Sequence, residues 1–474
     1  MARTIVTLLF TVLYITIAPG QEDNECKIKL EFKNTDSSFV SIAYHIGNKQ
    51  YIKDTIQLDE QGNAVYSPEV KPEQGLYMLV FPDNQLFEFI LPEDQHFTVA
   101  GDKNDIMNTL VFRGSKENSA FIEYRKRWAA FQDKTREYSK MMNDPDQRDK
   151  NNESREKIRE AQEEILDYIK TQAGEYEGTL LSAMLYSMLP VEVPDFNIPA
   201  GVSNPDSLKW VMGYNYNKNH FWDNLDLSDP RLIRTPILQN KLETFFSKVL
   251  IPDPDTIMKE IPQLVSMTGG NEETYRYVIS HMFNHFSSSQ VMGHDEVVLM
   301  LADNYYLNGE ADWVSDKFLE DLKNDAARIR PNIIGKEAVN LTMQTYAGIP
   351  RSLHDIKADY TILYFWEPNC GHCKTSTPVL KELYENNRDK GIEVFAVCTQ
   401  DNRDEWEQYI AENELSWINA WDPDRSTHFD FYYNVMATPM IYILNSEKEI
   451  IAKKIPADRV MDFIDSYKRI KGSN

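Results

Sequence analysis

Residues 365–378 read FWEPNCGHCKTSTP and carry two cysteines three positions apart. The segment 360–366 is an apolar run typical of a buried β-strand. The residues after Cys370 show a helical pattern to about residue 388. The C-x-x-C pair is therefore predicted to lie between a buried strand and a helix. Strand and helix patterns continue to alternate toward the C-terminus, which predicts a central sheet with helices on its faces.

A cysteine at the N-terminus of a helix is predicted to be reactive. Thiols react as thiolates, and the unpaired N–H groups and dipole of the helix start favour negative charge on Cys370. Cys373 lies on the same side of the helix, one turn further in. It can attack a mixed disulfide that Cys370 has formed and release the product. The sequence therefore predicts Cys370 as the nucleophile and Cys373 as the resolving thiol.

The two residues between the cysteines are expected to tune this pair. Gly371 is expected to allow a tight backbone turn at the exposed end. His372 can carry positive charge near neutral pH, which stabilises the thiolate. A stabilised thiolate makes the disulfide less stable, so the couple is predicted to be more oxidising.

Zinc binding and a structural disulfide are the alternative interpretations of the C-x-x-C pair. A zinc site needs about four ligands, and the sequence contains no second C-x-x-C. A disulfide at a helix start is strained and labile rather than inert. The chain has 4 cysteines in 474 residues, too few for a disulfide framework. A redox pair is the preferred interpretation. Because a dithiol itself carries two electrons, neither a metal nor a cofactor is expected.

Two separate motifs resemble those of the thioredoxin fold. The first is Trp366 at the strand end, followed by the C-x-x-C pair and by Pro378 five positions after the second cysteine. The second is the stretch VMATP at residues 435–439. The resemblance implies that Pro439 is cis and lies against the active-site disulfide. It also implies that the backbone of Thr438 pairs with a bound substrate strand.

The resemblance covers about residues 336–474. It is closest to the TlpA/ResA-type thioredoxin-like proteins of the bacterial cell envelope, which implies a thiol–disulfide oxidoreductase. The Gly371-His372 dipeptide resembles that of protein disulfide isomerase. Two positions depart from the thioredoxin pattern: Tyr364 stands where thioredoxins carry a buried Asp for proton transfer, and Asn369 replaces a Trp. Glu367 is a candidate replacement carboxylate, although a surface position at a strand end is the simpler interpretation.

The N-terminus predicts export. A basic residue, an apolar run over 5–18 and small residues before Gln21 describe a secretory signal peptide, residues 1–20. Acidic residues precede Cys26, unlike a lipoprotein signal. The expected location is the periplasm or cell envelope, without stable membrane insertion. The formal net charge of −24 argues against a nucleic-acid partner.

Three domains are predicted after the signal peptide. Residues 21–114 contain alternating patterns such as KIKLEFK and predict a small β-rich domain, a sandwich or barrel. Residues 115–335 are dominated by helical patterns and predict an all-α middle domain. Residues 336–474 are the predicted α/β thioredoxin-like domain. Residues 26–115 resemble the small β-domain of unknown function that precedes thioredoxin domains in Bacteroidetes-type envelope proteins. The stretch SQVMG at 289–293, with YYL at 305–307 and Trp313, resembles the uncharacterised helical domain that follows it there.

Three further features receive structural interpretations. Cys398 ends an apolar strand and is expected to be a buried small side chain, with a third redox thiol as the alternative. Cys26 is expected to fray with the mature N-terminus. His281 and His285 have the spacing of a two-histidine metal face but lack the Glu of H-E-x-x-H, so ordinary helix histidines are expected.

These observations together predict an exported thiol–disulfide oxidoreductase. Its partners would be protein thiol or disulfide substrates and a redox partner in the cell envelope. The direction of electron flow, reductase or isomerase-like, stays open. One alternative is a protein that binds an envelope partner through its first domains, with an accessory redox domain. Another is a copper-handling dithiol protein.

Overall fold

The computed structural model of the chain describes residues 26–143 and 151–472, so the predicted signal peptide lies outside the described residues. The described residues form two compact units. The first comprises those up to Val191 with 222–225 and 231–238, and the second comprises 192–221, 226–230 and those from Gln239 onward.

The first unit begins with a β-sandwich. Its strands are β1 (Lys27–Lys33), β2 (Phe39–Ile46), β3 (Lys49–Gln57), β4 (Asn63–Tyr66), β5 (Gly75–Val80), β6 (Leu86–Leu91), β7 (His96–Asp102) and β8 (Val111–Arg113). They form two four-stranded sheets in the orders β4-β1-β7-β8 and β3-β2-β5-β6. Apolar side chains from both sheets share one core, which confirms the predicted β-rich module.

Strand β1 shows why the alternating sequence folds in this way. Ile28, Leu30 and Phe32 are buried in the shared core, whereas the lysines between and beside them are exposed. Successive side chains of a strand point to opposite faces of its sheet. The alternation therefore directs one set of side chains into the sandwich and the other into solvent.

Cys26 is buried against this core, with 1% of its surface exposed. Pairing of β1 with β7 begins at Lys27, whose N–H also donates to the Gln95 carbonyl at 3.0 Å. Burial raises the pKa of the Cys26 thiol to about 11. The expectation that Cys26 frays with the N-terminus is therefore wrong, because the sheet holds the chain from its first described residues.

Helices dominate the middle of the chain, as predicted. The helices up to residue 329 are α1 (Ile106–Thr109), α2 (Lys116–Asn143), α3 (Asn151–Glu175), α4 (Leu180–Ser187), α5 (Pro205–Asn219), α6 (Ile237–Thr244), α7 (Pro254–Ser266), α8 (Glu272–Ser287), α9 (His294–Leu301) and α10 (Asp316–Ile329). Polar side chains cap several of them by accepting a hydrogen bond from the third helical N–H, as Asn271 and Ser315 do. Within the described residues, no helix is long and apolar enough to cross a membrane.

The C-terminal part of the second unit is an α/β fold around a seven-stranded sheet. Its strands are β9 (Thr342–Thr345), β10 (Arg351–Ser352), β11 (Tyr360–Trp366), β12 (Ile392–Cys398), β13 (Ile418–Trp421), β14 (Met440–Leu444) and β15 (Ile450–Lys453), in the order β10-β9-β13-β12-β11-β14-β15. The helices are α11 (Gly371–Asn387), α12 (Arg403–Glu412), α13 (Phe429–Tyr432) and α14 (Val460–Gly472). This is the thioredoxin-like architecture that the sequence predicts.

Strand β11 lies at the centre of this sheet, parallel to β12 and antiparallel to β14. Its side chains are divided between two apolar clusters. Ile362, Tyr364 and Trp366 belong to one, and Leu363 and Phe365 belong to the other. A strand covered on both faces needs apolar residues throughout, which explains the continuous apolar run in the sequence.

A buried ion pair joins helix α9 to the edge strand β15. The Lys453 amine lies 2.7 Å from the Asp295 carboxylate and donates to the Asn332 carbonyl at 2.8 Å. The Lys453 side chain is 1% exposed. Burial lowers the pKa of this amine, and Asp295 acts in the opposite direction. The outer edge of β15 is also covered, since the Lys453 N–H contacts Met292 Sδ and the Gly335 N–H donates to the Ile450 carbonyl.

We expect Asp295→Ala to lower the free energy of unfolding of the second unit by about 3–5 kcal/mol, because it leaves a buried ammonium group without its carboxylate. Urea titration followed by tryptophan fluorescence measures this change. Asp321→Ala is the control, since Asp321 pairs with Lys317 on the exposed face of α10 and should lose only about 0.3–0.5 kcal/mol. Equal losses in the two variants would contradict the structural role of Asp295.

Candidate active site

The carboxyl end of strand β11 positions the C-x-x-C pair. Trp366, its last residue, is fully buried and pairs across the sheet with Cys398 of β12. The Thr399 N–H donates to the Trp366 carbonyl at 3.0 Å, and the Trp366 ring lies 5.1 Å from the Tyr409 ring. The backbone before the cysteines is thus held by both the sheet and the core.

Cys370 is the N-cap residue of helix α11. Its sulfur accepts a hydrogen bond from the Cys373 N–H at 3.2 Å, which satisfies one of the N–H groups that a helix start leaves unpaired. The Cys370 N–H donates to the Glu367 carbonyl at 3.3 Å. The structure thus places this cysteine at the helix start, where the sequence predicts it.

The residues between the cysteines lie at the surface. Gly371 is the first residue of α11 and does not have a positive φ, and a Cβ there would meet no described atom within 4 Å. The expected tight turn at Gly371 is therefore wrong, because this residue already has helical geometry. His372 is exposed, and its backbone N–H helps to stabilise the Cys370 thiolate.

The loop before β14 faces Cys370. The Thr438–Pro439 peptide bond is cis, as the resemblance implies. The Thr438 carbonyl accepts a hydrogen bond from the Cys370 thiol, with 3.3 Å between sulfur and oxygen. Because β14 pairs with β11, the two motifs that are distant in sequence meet at one end of the sheet.

The two thiols differ in burial and in ionisation. Burial raises the pKa of Cys373 to about 12, and its hydrogen bond with Cys370 acts in the same direction. Cys370 is half-buried, and this burial opposes its ionisation. Hydrogen bonds from Cys373 and the His372 N–H, together with the nearby Thr438 side chain, outweigh burial and lower the Cys370 pKa. At neutral pH the outer thiol is therefore the better nucleophile, and the inner thiol is protonated.

Tyr364 occupies the position at which thioredoxins carry a buried Asp. Its hydroxyl and that of Thr377 form a hydrogen bond of 2.9 Å within the core. Burial raises the pKa of Tyr364. A phenol that stays protonated in this way cannot take up a proton at neutral pH.

Glu367 is half-buried at the end of β11. One of its carboxylate oxygens accepts hydrogen bonds from the Thr399 hydroxyl at 2.8 Å and from the Thr438 hydroxyl at 3.3 Å. Glu367 is therefore only partly exposed at the strand end, because residues that follow β12 and precede β14 bring hydroxyl groups against it. The sequence separates these three residues too widely for local patterns to reveal the cluster.

Asn369, directly before the first cysteine, is tied to helix α12. Its amide group donates to the Glu405 carboxylate. The Gln400 amide donates to the same oxygen at 3.3 Å. These contacts form a second polar cluster beside the C-x-x-C pair. Its hydrogen bonds do not include Glu367.

Cys398, His281 and His285 are the remaining candidate residues from the sequence. Cys398 is 1% exposed, as predicted for a buried small side chain, and burial raises its pKa to about 12. His281 and His285 stack along α8 with 6.4 Å between ring centroids. Among the residues that the structure describes, no three His, Cys, Asp or Glu side chains are grouped so that they could hold a metal ion.

We expect Cys370 to ionise at a lower pH than a free cysteine, and Cys373 at a much higher pH, because the helix start and the core act on them in opposite directions. A pH titration of the ultraviolet absorbance of the thiolate measures both steps. Cys370→Ser should remove the first step, and Cys26→Ala should leave it in place. Persistence of the first step in Cys370→Ser would contradict the assignment.

Three sequence families match the chain. Residues 334–453 match the AhpC/TSA family. Residues 147–332 and 26–121 match two families described as domains of unknown function, DUF5106 and DUF4369 respectively.

Curated relatives match the C-terminal part of the chain. Thiol-disulfide oxidoreductase ResA of Bacillus cereus is 25% identical over 134 residues, which are 28% of this chain and 76% of that protein. A thioredoxin-like protein of Haemophilus influenzae is 25% identical over 122 residues, 25% of this chain and 70% of that protein.

Solved structures give related matches. A domain of a possible thiol-disulfide isomerase from Cytophaga hutchinsonii is 38% identical and covers 30% of this chain and 99% of its own, with a TM-score of 0.29. A thioredoxin-like protein from Bacteroides caccae is 19% identical and covers 59% of this chain and 99% of its own, with a TM-score of 0.46. The chain therefore contains, in this order, DUF4369, DUF5106 and AhpC/TSA domains, and its C-terminal part is similar to thioredoxin-like thiol–disulfide oxidoreductases.

Proposed function

We propose that the protein is an exported enzyme that exchanges thiols and disulfides with protein substrates through Cys370 and Cys373. One observation carries this proposal. Cys370 caps α11 with a lowered thiol pKa and contacts the Thr438 carbonyl, while Cys373 is buried one turn further in. One thiol can thus attack an approaching disulfide, and the second is shielded from solvent.

In the reducing direction, the exchange has two steps. The Cys370 thiolate attacks one sulfur of the substrate disulfide, and the bond's electron pair leaves on the other substrate sulfur, which takes a proton. Cys373 then loses its proton and attacks the Cys370 sulfur, which releases the second substrate thiol and forms the Cys370–Cys373 disulfide. The substrate gains two electrons and two protons: both electrons and the Cys373 proton come from the protein, and the other proton comes from the solvent. The reverse sequence oxidises a substrate dithiol.

The residues around the pair have supporting roles in this proposal. Trp366 fixes the strand end before the cysteines, and Gly371 leaves open space beside Cys370 for a substrate. Thr438 and Pro439 present backbone next to the reactive sulfur, where an extended substrate segment can pair. His372 adds positive charge when it is protonated, which favours the thiolate.

Location and partners follow from the sequence. Residues 1–20 have the features of a signal peptide, which supports a periplasmic or cell-envelope location, where disulfides form. The proposed partners are protein thiol or disulfide substrates and an envelope redox partner, and no cofactor is needed. We further propose the domain boundaries 21–114, 115–335 and 336–474.

Cys370→Ser is expected to abolish the reduction of a disulfide-bonded test protein such as insulin, because the attacking thiolate is lost. Cys373→Ser should instead accumulate a mixed disulfide on Cys370, which mass spectrometry under non-reducing conditions detects. Cys26→Ala is the matched control, since it removes a buried cysteine of the first unit, and should turn over normally. Unchanged turnover in Cys370→Ser would overturn the proposal.

The reduction potential of the Cys370–Cys373 pair is expected to lie above the value of about −270 mV typical of thioredoxin, because the Cys370 thiolate is stabilised. Equilibration with glutathione buffers, with the redox state read by thiol alkylation, measures it. His372→Ala should lower the potential. A reduction potential below about −270 mV in the natural protein would contradict this prediction.

A further inference from the structure

The buried thiol of Cys373 needs a proton acceptor. Its pKa of about 12 reflects burial first, yet the resolving step uses its thiolate. General bases assist such steps when they lie within hydrogen-bond reach. Tyr364 is unsuited, because its hydroxyl is bonded to that of Thr377 and burial raises its pKa. The acceptor has to come from another side of the site.

Glu367 is connected to the thiols by the Thr438 hydroxyl. The carboxylate oxygen Oε1 lies 3.3 Å from Thr438 Oγ1. Thr438 also lies beside the two thiols, because its carbonyl accepts a hydrogen bond from the Cys370 thiol at 3.3 Å and its side chain is close enough to both thiols to lower their pKa values. Because a hydroxyl can donate and accept at the same time, it is able to pass a proton between thiol and carboxylate.

The carboxylate is held in place for this contact. The Thr399 hydroxyl donates to the same oxygen at 2.8 Å. Thr399 is itself anchored, since its N–H donates to the Trp366 carbonyl at 3.0 Å. Glu367 therefore has a defined orientation toward Thr438 before any substrate binds.

The other titratable groups around this cluster do not compete for the proton. They are the thiols of Cys370 and Cys373 on α11, the thiol of Cys398 on β12, and the phenols of Tyr364 on β11 and Tyr409 on α12. The pKa of each group except Cys370 is raised, chiefly by burial, so these other groups are protonated at neutral pH. Cys370 is consumed in the mixed disulfide when Cys373 reacts. Glu367 contributes a carboxylate to this set.

We propose that Glu367 accepts the Cys373 proton through the Thr438 hydroxyl during the resolving step. This inference rests on the proposed function, because it assigns the proton route of one of its two steps. The Cys373 proton passes to Thr438 Oγ1 while the Thr438 hydroxyl proton passes to Glu367 Oε1. The Cys373 thiolate then attacks the Cys370 sulfur, the electron pair leaves on the substrate sulfur, and that sulfur takes up the proton as Glu367 releases it.

The test separates the two steps of one turnover. When the reduced protein reacts with a chromogenic aromatic disulfide, one aromatic thiolate is released as Cys370 attacks and a second as Cys373 resolves the mixed disulfide. Stopped-flow absorbance follows both phases across a pH range. Because Glu367 acts through Thr438 as a positioning residue, the pH profile of the second phase is the decisive readout.

Glu367→Gln keeps an oxygen that accepts the Thr438 hydrogen bond but cannot take up the proton. At neutral pH it should slow the second phase roughly tenfold to a hundredfold and change the first by less than about twofold. The second phase should recover toward the natural rate as the pH rises and hydroxide replaces the carboxylate. Thr438→Val should show the same selective defect, although its Glu367 is intact.

Glu405→Gln is the matched control. Glu405 is a second carboxylate near the C-x-x-C pair, and its contacts run to Asn369 and Gln400. Both phases should be unchanged in this variant. A selective second-phase defect in Glu405→Gln equal to that in Glu367→Gln would overturn the relay.

Two further results would also overturn the relay and leave the proposed function intact. One is a second phase with the same pH profile in Glu367→Gln as in the natural chain. The other is equal slowing of both phases without a change in pH profile, which would give Glu367 a structural role. Absence of both phases in the natural chain would instead overturn the proposed function itself, and the relay with it.

Discussion

The difference in depth between two thiols three residues apart is the constraint on which the site depends. Strand β11 is covered on both faces, and helix α11 starts where this strand reaches the protein surface. Its first turn therefore carries Cys370 at the boundary with solvent and Cys373 in the core. Loss of solvation acts strongly on the inner thiol, while the helix start acts on the outer one. The loop with the cis Thr438–Pro439 bond and the Glu367 carboxylate with its two threonine partners lie next to these thiols.

Sequence reasoning succeeded where the signal is local or chemically unusual. A continuous apolar run indicates a doubly covered strand, and the C-x-x-C and Thr-Pro motifs are specific combinations of residues. Strands β9, β10 and β13 escaped prediction because each has only two to four residues and forms through pairing with distant segments. Short strands of this kind have little periodicity of their own to detect.

Burial was the property that the sequence predicted least well. Cys26 was expected to fray with the N-terminus and Glu367 to lie at the surface. Residues from other strands and loops bury Cys26 and cover part of Glu367. Gly371 was expected to allow a tight backbone turn, but it is the first residue of helix α11 and does not have a positive φ. In each case the deciding contacts come from parts of the chain that no window around the residue contains.

The presence of Tyr364 where thioredoxins carry a buried Asp has a physical explanation. A carboxylate in a closed apolar core loses hydration and needs compensating contacts. Tyr364 instead stacks against Trp366, with 6.3 Å between ring centroids, and its hydroxyl is satisfied by Thr377. The carboxylate of Glu367 lies at the rim, where two hydroxyl groups solvate it. The core gains aromatic packing without a buried charge.

The contacts along strand β15 bear on how the chain can be divided. A fragment of residues 336–474 would keep Lys453 but lose Asp295, Met292 and the Gly335 N–H that contact this strand in the full chain. The Ile450 carbonyl and the Lys453 N–H would lose these partners, while the Ile450 N–H would keep the Lys336 carbonyl. Open groups at a sheet edge pair readily with other strands. The edge of β15 would therefore be more open to pairing with another strand in the isolated redox domain than in the full chain. In the full chain, residues before 336 cover this edge and so limit its pairing with other chains.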